Sequence, residues 1–509
     1  MRVNFCANTE VNTLYFSDVH SKTTNVRTFK TAVDTFDKEN EDKISLKLAG
    51  GDINMDCSLP INTLILKLMN SMKIDASSVG NHDFEGGNYW AQAMEKIKPH
   101  FKFLSSNLVF SKPNPVEDKI AKSVVIEKKG EKFGVIGVSP IDGKDLMYVA
   151  PFNEYIDILD FDKTVQSIKK EVCELERQGI NKIFLLAHTG KESKDHGQLY
   201  ERFAKLGGID VIIGGHDHKE FDYWCESDRG EPVKIVSVGK ADNKDILGED
   251  LDSFGVLKTV FDENGVLIPE ECKNDFKLSR DYPVNDAVCD MEEEYLHSRQ
   301  VITKSSCDMT CSNRKTQENP VADLAADAML WVVNKDTNGD KAQIAFVNSG
   351  GVRSELNKGD ITIGMIRQAL PFTSKVLIKT TLTKEKIIET LNVGSRSLSY
   401  PKVEPGLMQV GGLSYTVGKD GLVKDVYLLN EDGSLGEKID EQPDDKLYTV
   451  VYDSFLLTGV AGLQSMKKDS NDPSIETFSH TPQDALIEYL SQNYKDKAIE
   501  SIPNRIKFE

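Results

Sequence analysis

The chain has 509 residues, of which 39% are apolar and 28% charged. A single hydrophobic core rarely grows beyond about 250–300 residues, so this length predicts two domains. The formal net charge of −19 excludes broad binding to DNA or RNA, which needs clustered lysines and arginines, and it would repel a phosphorylated small molecule unless metal cations or a few arginines reverse the local field.

The cysteines and the N-terminus indicate the compartment. The eight cysteines are scattered without a Cys-x-x-Cys pair, which is typical of reduced thiols. Residues 1–8 lack the apolar stretch of a signal peptide, and no later run of about 18 apolar residues could cross a membrane. We therefore expect a cytoplasmic protein with no membrane contact, unless a leader is missing from the sequence.

Short apolar runs alternate with amphipathic stretches through the first half of the chain. The runs lie at residues 13–16, 45–49, 133–138, 183–187 and 211–213. Short β-rich runs separated by helical patterns predict a layered α/β domain. In such a sheet, catalytic side chains are expected beyond the carboxyl ends of the strands.

A charged segment separates the first half of the chain from the second. Residues 285–300 form a charged helical segment, and a second α/β region follows from Cys307. Its apolar patterning predicts strands at 342–347, 376–381 and 446–451. Together these features predict a catalytic domain over 1–275, a helical linker over 276–305 and a second domain over 306–509.

Carboxylate, amide and imidazole side chains follow most of the apolar runs. They occur in five motifs, in chain order Asp18-x-His20, Gly50-Gly51-Asp52, Gly80-Asn81-His82-Asp83, His188 and Gly214-Gly215-His216-Asp217-His218. Taken singly, each motif also fits a structural role, such as a helix cap or a buried histidine. Five of the nine histidines lie in these motifs, and mixed carboxylate and imidazole ligands suit Mn, Zn or Fe. The set as a whole therefore favours a metal centre.

The order of these motifs resembles the calcineurin-like metallophosphoesterases. The later segment 348–353 (Asn-Ser-Gly-Gly-Val-Arg), followed by Leu370-Pro371-Phe372, resembles the C-terminal domain of the 5′-nucleotidase / UDP-sugar hydrolase family. The two resemblances cover nearly the whole chain. They imply an α/β fold, with a four-layer α/β/β/α metallophosphoesterase domain and a smaller C-terminal α/β domain of the 5′-nucleotidase type.

The resemblance implies two divalent metal ions, whose identity could be Mn, Zn, Fe or Co. One ion would be held by Asp18, His20, Asp52 and His218. The other would be held by Asp52, Asn81, His188 and His216, with Asp52 bridging the two. Two cations about 3.5–4 Å apart activate a water molecule and stabilise the charge on phosphoryl oxygens.

His82 resembles the catalytic histidine of the family, which stabilises the phosphoryl charge or protonates the leaving oxygen. Glu85 stands where the family has the carboxylate partner of that histidine. Glutamate in place of the more usual aspartate keeps the charge and lengthens the side chain by one methylene. Asp83 is an alternative partner.

The second domain carries the residues that the resemblance assigns to the substrate. Positions matching Asn348 and Arg353 contact the substrate in the family, and the aromatic residue matching Phe372 stacks on the nucleobase. Gly350 and Gly351 let backbone N–H groups approach a ligand, and a guanidinium can bind phosphate with two parallel hydrogen bonds. Without the resemblance, this segment would be interpreted as a tight turn with a surface arginine.

Two departures from the family pattern bear on the substrate. Gln317 occupies the position where an arginine is expected, and Leu463 the position of a second stacking aromatic residue. Tyr415 or Tyr452 could supply that second face. Losing a stacking face costs on the order of 1–3 kcal/mol, by analogy with bases stacked on proteins along single strands.

The predicted function is that of a 5′-nucleotidase, which hydrolyses nucleoside monophosphates in nucleotide catabolism. UDP-sugars and 2′,3′-cyclic nucleotides are further candidate substrates. The alternative is a phosphatase for a non-nucleotide ester such as a sugar phosphate. A non-catalytic binding protein is the third hypothesis, and the complete set of ligand residues argues against it. The expected partner is thus a small phosphate ester and not a polymeric nucleic acid. The sequence makes no prediction about the oligomeric state.

Overall fold

The structure is a computed structural model. It describes residues 8–55, 59–110, 116–141, 156–193, 195–239, 253–313, 315–335, 339–372, 375–398, 406–459, 462–469 and 472–509, without the side chains of 85–88 and 397. The chain divides into two compact units, Met1–Tyr295 and Leu296–Glu509. Within the described residues, no helix is both long and apolar enough to span a bilayer, and the six cysteines found there are free thiols.

The first unit is built on two large sheets. Its strands are β1 (Thr9–Phe16), β2 (Ser45–Ala49), β3 (Ala76–Ser78), β4 (Lys102–Leu104), β5 (Leu108–Phe110), β6 (Ile120–Ala121), β7 (Ser123–Lys128), β8 (Glu131–Val138), β9 (Ile156–Ile158), β10 (Ile183–Ala187), β11 (Glu192–Ser193), β12 (Gly197–Gln198), β13 (Val211–Gly214), β14 (Phe221–Glu226), β15 (Pro232–Ser237), β16 (Ser253–Phe261) and β17 (Lys273–Leu278). The seven-stranded sheet has the order β17-β16-β1-β2-β3-β4-β6, and the six-stranded sheet has the order β14-β15-β13-β10-β8-β7.

Parallel pairing places the ends of the central strands at common edges. In the first sheet, β1, β2, β3 and β4 are parallel neighbours. In the second sheet, the same holds for β8, β10, β13 and β15. The loops that carry the predicted metal motifs therefore leave the carboxyl ends of adjacent parallel strands, where ligand sites of α/β sheets are expected.

Helices cover the outer faces of both sheets. They are α1 (Thr23–Glu39), α2 (Leu59–Ser71), α3 (Gly87–Ile97), α4 (Phe161–Arg177), α5 (Leu199–Ala204) and α6 (Asp286–Leu296). Helix α4 begins after Asp160, whose carboxylate accepts a hydrogen bond from Lys163 N at 2.9 Å, as an N-cap residue should. Its apolar positions recur every three or four residues, so they lie on one face and pack on the second sheet.

The layers follow from the alternation of side chains along the strands. Tyr15 and Leu186 belong to one apolar core, which lies between the two sheets. Phe16 faces the other way and meets Phe29 of α1, with 4.9 Å between the ring centroids. On the far side, Leu185 packs with Ile168 of α4. The order helix, sheet, sheet, helix confirms the predicted four-layer α/β/β/α fold.

The predicted linker, residues 276–305, contains more than one element. Helix α6 lies within it, the first unit ends one residue before the end of this helix, and strand β18 (Val301–Ser305) follows. The Arg27 Nε donates to Glu292 Oε2 at 2.7 Å, which attaches α6 to α1 in the first unit. The predicted domain limits stay a prediction.

The second unit combines two larger sheets, a two-stranded sheet and four helices in its described part. The remaining strands are β19 (Ile344–Val347), β20 (Gly359–Thr362), β21 (Leu377–Thr383), β22 (Gln409–Gly411), β23 (Leu413–Val417), β24 (Val423–Leu429), β25 (Leu435–Lys438), β26 (Leu447–Asp453), β27 (Glu476–Thr477) and β28 (Ile506–Phe508). The five-stranded sheet has the order β22-β19-β26-β21-β27 and the four-stranded sheet the order β25-β24-β23-β28. The helices are α7 (Pro320–Asn334), α8 (Ile363–Ala369), α9 (Lys384–Ser395) and α10 (Pro482–Asn493).

Candidate metal centre

The structure brings the seven predicted metal ligands together. Each follows the carboxyl end of one of five strands, β1, β2, β3, β10 and β13. The backbone ties two of these loops directly, because Asp18 N donates to Gly51 O at 3.0 Å and His20 N donates to Asp52 O at 2.9 Å. The seven side chains that meet at this edge are Asp18, His20, Asp52, Asn81, His188, His216 and His218.

The Asp52 carboxylate lies at the centre of the cluster. It is 1% exposed, and its Oδ2 atom lies 2.9 Å from His188 Nε2 and 3.2 Å from His20 Nε2. Its Oδ1 atom accepts a hydrogen bond from His82 N at 2.8 Å. Asp52 therefore contacts both predicted ligand sets, as a bridging carboxylate must.

The atoms of the predicted ligands form two groups, and Asp52 belongs to one group and contacts the other. Asp18, His20 and His218 offer atoms within 4.8 Å of one another, and so do Asp52, His188 and His216. Asn81 joins the second group, because its Oδ1 atom lies 3.0 Å from His216 Nδ1. This division matches the two ligand sets that the resemblance implies. The assignment of each side chain to an ion stays a prediction.

The tautomer of His188 tests whether the cluster fits a cation. Its Nδ1 atom lies 2.7 Å from the carbonyl oxygen of Gly50, so Nδ1 carries a proton and Nε2 is the ring atom available to a metal ion, as in metal-binding histidines. That Nε2 atom is buried without a hydrogen bond, yet it faces an Asp52 oxygen at 2.9 Å. Two atoms this close need a proton or a metal cation between them, so the residues fit a metal ion.

Charge and burial set the protonation of the cluster. Burial lowers the pKa of His188, but the Asp52 carboxylate raises it, with a net result of about 9. Burial raises the pKa of Asp52, but the His188 and His82 rings lower it well below its usual range. For His216, burial and the neighbouring His188 both lower the pKa.

The backbone at the ligands is unusual. Non-glycine residues seldom adopt positive φ, and such residues concentrate at functional sites. Gly80 shows how tightly the loops approach, because a Cβ atom there would lie 2.0 Å from Asp52 Oδ1. The ligands with left-handed backbone are Asp18 (φ 58°), His20 (50°), Asp52 (52°), His216 (81°) and His218 (53°).

His82 lies beside the first group of ligands. Its ring and that of His20 meet edge to face, with 4.9 Å between the centroids, and a ring nitrogen falls within 4.8 Å of ligand atoms of His20 and Asp52. Its predicted partner Glu85 is in a short 3-10 helix, His82–Gly86, but the Glu85 side chain lies outside the described residues. The dyad stays a prediction.

Sequence reasoning missed the role of Asp83, which it offered only as a partner for His82. The Asp83 carboxylate is fully buried and accepts hydrogen bonds from Gly80 N, Asp52 N and Asn54 N at 2.9, 3.1 and 2.8 Å. No local pattern reveals such bonds, because the three donors belong to two loops that meet only in the folded sheet.

The second unit brings the predicted substrate residues close to one another. Gly350 and Gly351 form a short 3-10 turn after β19, and a Cβ atom on either glycine would lie 3.2 Å from the side-chain amide of Asn348. The guanidinium carbon of Arg353 lies 5.1 Å from the ring centroid of Phe372, within the range of a cation–π contact. Their contact with a substrate stays a prediction.

Leu463 and the two tyrosines that could supply the second stacking face are all in the core. Leu463, Tyr415 and Tyr452 are fully buried and belong to one apolar cluster of this unit. The tyrosine hydroxyls donate to backbone carbonyls, Tyr415 to Met408 O at 2.7 Å and Tyr452 to Met466 O at 3.2 Å. Neither tyrosine can therefore replace the aromatic residue expected at position 463.

Comparison with known proteins gives matches along both units. Residues 11–220 match the calcineurin-like phosphoesterase family, and residues 300–468 match the 5′-nucleotidase C-terminal domain. The trifunctional nucleotide phosphoesterase YfkN of Bacillus subtilis is 26% identical over 87% of this chain, although the match spans only 31% of that longer protein. The snake venom 5′-nucleotidase of Crotalus adamanteus is 26% identical over 81% of this chain and 71% of its own length.

A solved structure shows the same fold over nearly the whole length. The 5′-nucleotidase precursor of Thermus thermophilus superposes with a TM-score of 0.64 at 22% identity, covering 98% of this chain and 99% of that one. The five ligand loops lie inside the region matched by the phosphoesterase family, and the Arg353 segment lies inside the second match. The chain belongs to the calcineurin-like phosphoesterases that carry a 5′-nucleotidase C-terminal domain.

Proposed function

We propose that this protein is a metal-dependent phosphoester hydrolase that releases phosphate from nucleoside monophosphates. The observation that carries the proposal is the centre around Asp52, in which one buried carboxylate contacts ligand atoms on both sides. Two divalent cations, when bound there, supply Lewis acidity and activate a water molecule for attack on phosphorus. The ester P–O bond breaks, phosphate leaves, and the substrate oxygen gains a proton.

The roles of the protein's own residues follow from their positions. Asp52 and the six ligands around it would hold two cations, for which Mn, Zn, Fe and Co are the candidates. His82, beside Asp52 and His20, would stabilise the phosphoryl charge or protonate the leaving oxygen. In the second unit, we propose that Arg353 binds phosphate and Phe372 stacks on the base.

The phosphatase for a non-nucleotide ester remains the second candidate. It is favoured by the burial of Leu463, Tyr415 and Tyr452 in the core, because a base would then stack on Phe372 alone. Gln317 is exposed and is uncharged, so it does not supply the positive charge of the arginine expected at that position. Arg314, three residues before Gln317 in the sequence, is the nearest arginine, and it lies outside the described residues.

The compartment is a separate proposal. The cytoplasmic location expected from the N-terminal sequence stays a prediction. One relative is named as a venom enzyme, so the family is not restricted to the cytoplasm.

A phosphate-release assay tests the proposed function. The Mn²⁺-loaded protein would be compared on AMP and other nucleoside monophosphates, UDP-glucose, a 2′,3′-cyclic nucleotide and several sugar phosphates, with Asp52→Asn as the control. We expect turnover of a nucleotide class that the control loses. Turnover of sugar phosphates alone would establish the second candidate, and equal activity of Asp52→Asn would discredit the metal centre.

A further inference from the structure

Asp83 is a buried carboxylate in contact with two ligand loops but absent from the groups of ligand atoms. Its Oδ1 atom accepts hydrogen bonds from Asn54 N at 2.8 Å and Asn54 Nδ2 at 3.2 Å. Its Oδ2 atom accepts hydrogen bonds from Gly80 N at 2.9 Å and Asp52 N at 3.1 Å. An ionised carboxylate has about four acceptor sites, so these four donors occupy it.

The four donors come from the loops after β2 and β3. The first loop carries the bridging ligand Asp52, and the second carries Asn81 and His82. A bond also runs the other way, from His82 N to Asp52 Oδ1 at 2.8 Å. The two loops are therefore joined reciprocally, by one carboxylate from each.

This pairing has a direct effect on the backbone of Asp52. Asp52 has a φ of 52°, a left-handed conformation that is unfavourable for a residue other than glycine and persists only where its surroundings hold it. Its N–H group is fixed by Asp83 and its Oδ1 atom by His82 N. Both ends of the residue are thus held, so that Oδ2 stays near His20 and His188.

We propose that Asp83 is a positioning residue, which sets the spacing between Asp52 and Asn81 so that two divalent cations bind together. The inference rests on the proposed function, since it concerns the same metal centre. Asp83 touches neither ion in this proposal and acts through the loops. Residues that orient metal ligands typically change metal affinity by about 10–100-fold when they are replaced.

The substitution Asp83→Asn removes the charge of the side chain and keeps its shape. In Asp83→Asn the side chain keeps its size, but one of its two terminal atoms becomes an N–H donor facing two N–H groups. The bonds to that atom are lost, either the two from Asn54 or those from Asp52 N and Gly80 N, and the joint between the two loops is weakened. Asp83→Glu keeps the acceptors with a longer side chain, so it should recover part of the affinity.

The measurement is a Mn²⁺ titration by calorimetry, with the spin-coupled EPR signal of paired Mn²⁺ ions as the second readout. We expect Asp83→Asn to fold, to bind at least one Mn²⁺ roughly tenfold or more weakly, and to lose the spin-coupled signal. Asp83→Glu should show an intermediate affinity.

Asp210→Asn is the matched control. Asp210 is also a buried aspartate that accepts a backbone hydrogen bond, from Ile183 N at 2.7 Å. It precedes β13, at the strand end opposite to His216 and His218. The control should keep both Mn²⁺ ions, whatever its thermal stability. An equal loss of Mn²⁺ affinity in the control would overturn the proposal, because it would reflect general destabilisation.

The outcomes separate this inference from the proposed function. If the wild type binds paired Mn²⁺ and Asp83→Asn binds it equally well, the positioning role is wrong and the proposed function stands. If the wild type binds no Mn²⁺, the metal centre itself is wrong, and both fail. Should Asp83→Asn not fold, Asn54→Ala removes only the bond from Asn54 Nδ2, and unchanged affinity in both Asn54→Ala and Asp83→Glu would overturn the proposal.

Discussion

The protonation state of the metal centre depends most directly on the pair formed by His188 and Asp52. Without a metal ion, a proton satisfies the two acceptors that lie 2.9 Å apart. Burial opposes that proton, and the Asp52 carboxylate favours it, giving His188 a pKa of about 9. Since this value lies above the ordinary pKa of about 6.5, the protonated pair stabilises the metal-free fold fully below about pH 6.5, and this contribution is lost as the pH rises through 9.

Metal binding should therefore release a proton at neutral pH. A cation between His188 and Asp52 must displace the proton from Nε2, so we expect the Mn²⁺ affinity to rise with pH, by up to about tenfold per pH unit, until about pH 9. Calorimetry in buffers of different ionisation enthalpy would count the protons released. An affinity that is constant between pH 7 and 9 would contradict the arrangement of this pair.

Among the elements, strand ends were more predictable than the bonds between loops. The metal motifs could be placed in the sequence because an apolar run and a following Asp or His mark the end of a buried strand, as at Phe16 and Ala187. The left-handed backbone of Asp52 and the four donors around Asp83 could not be predicted, because they arise only when loops from different strands pack together. For the same reason, the sequence did not show that Tyr415 and Tyr452 are core residues.

The last strand of the second unit provides a prediction for a single element. Arg505, just before β28, donates to Asp327 Oδ2 of α7 and to Val410 O of β22, both at 2.6 Å. Arg505 is buried, whereas the Asp327 side chain is 31% exposed, so water partly compensates the carboxylate that Arg505→Ala leaves behind. The free energy of unfolding should therefore fall by less than the roughly 3–5 kcal/mol typical of a fully buried pair. Urea denaturation measures the loss.

An exposed pair in the same region is the control for Arg505. Lys424 Nζ lies 2.6 Å from Glu509 Oε2 with both side chains in contact with solvent, so Lys424→Ala should change the stability little. Similar small effects of both substitutions would show that the Arg505 network does not stabilise β28 against α7.

At the scale of the whole molecule, the two units differ in what should stabilise them. Each has its own apolar core, and all seven proposed metal ligands belong to the first. Mn²⁺ at about 100 times its dissociation constant stabilises the species that binds it by about 2.7 kcal/mol. Differential scanning calorimetry should show two transitions, of which Mn²⁺ raises one and EDTA lowers the same one. A single transition that shifts as a whole would contradict independent units.

The reciprocal pairing of Asp83 and Asp52 also bears on how the enzyme matures. The bonds that join the two ligand loops are made by protein atoms alone, so the newly made chain can complete these loops before any ion arrives. Loading with metal then becomes the final step of maturation, and it needs little rearrangement of the backbone. On this account the ion supply of the compartment, and not the folding of the chain, determines what fraction of the molecules becomes active.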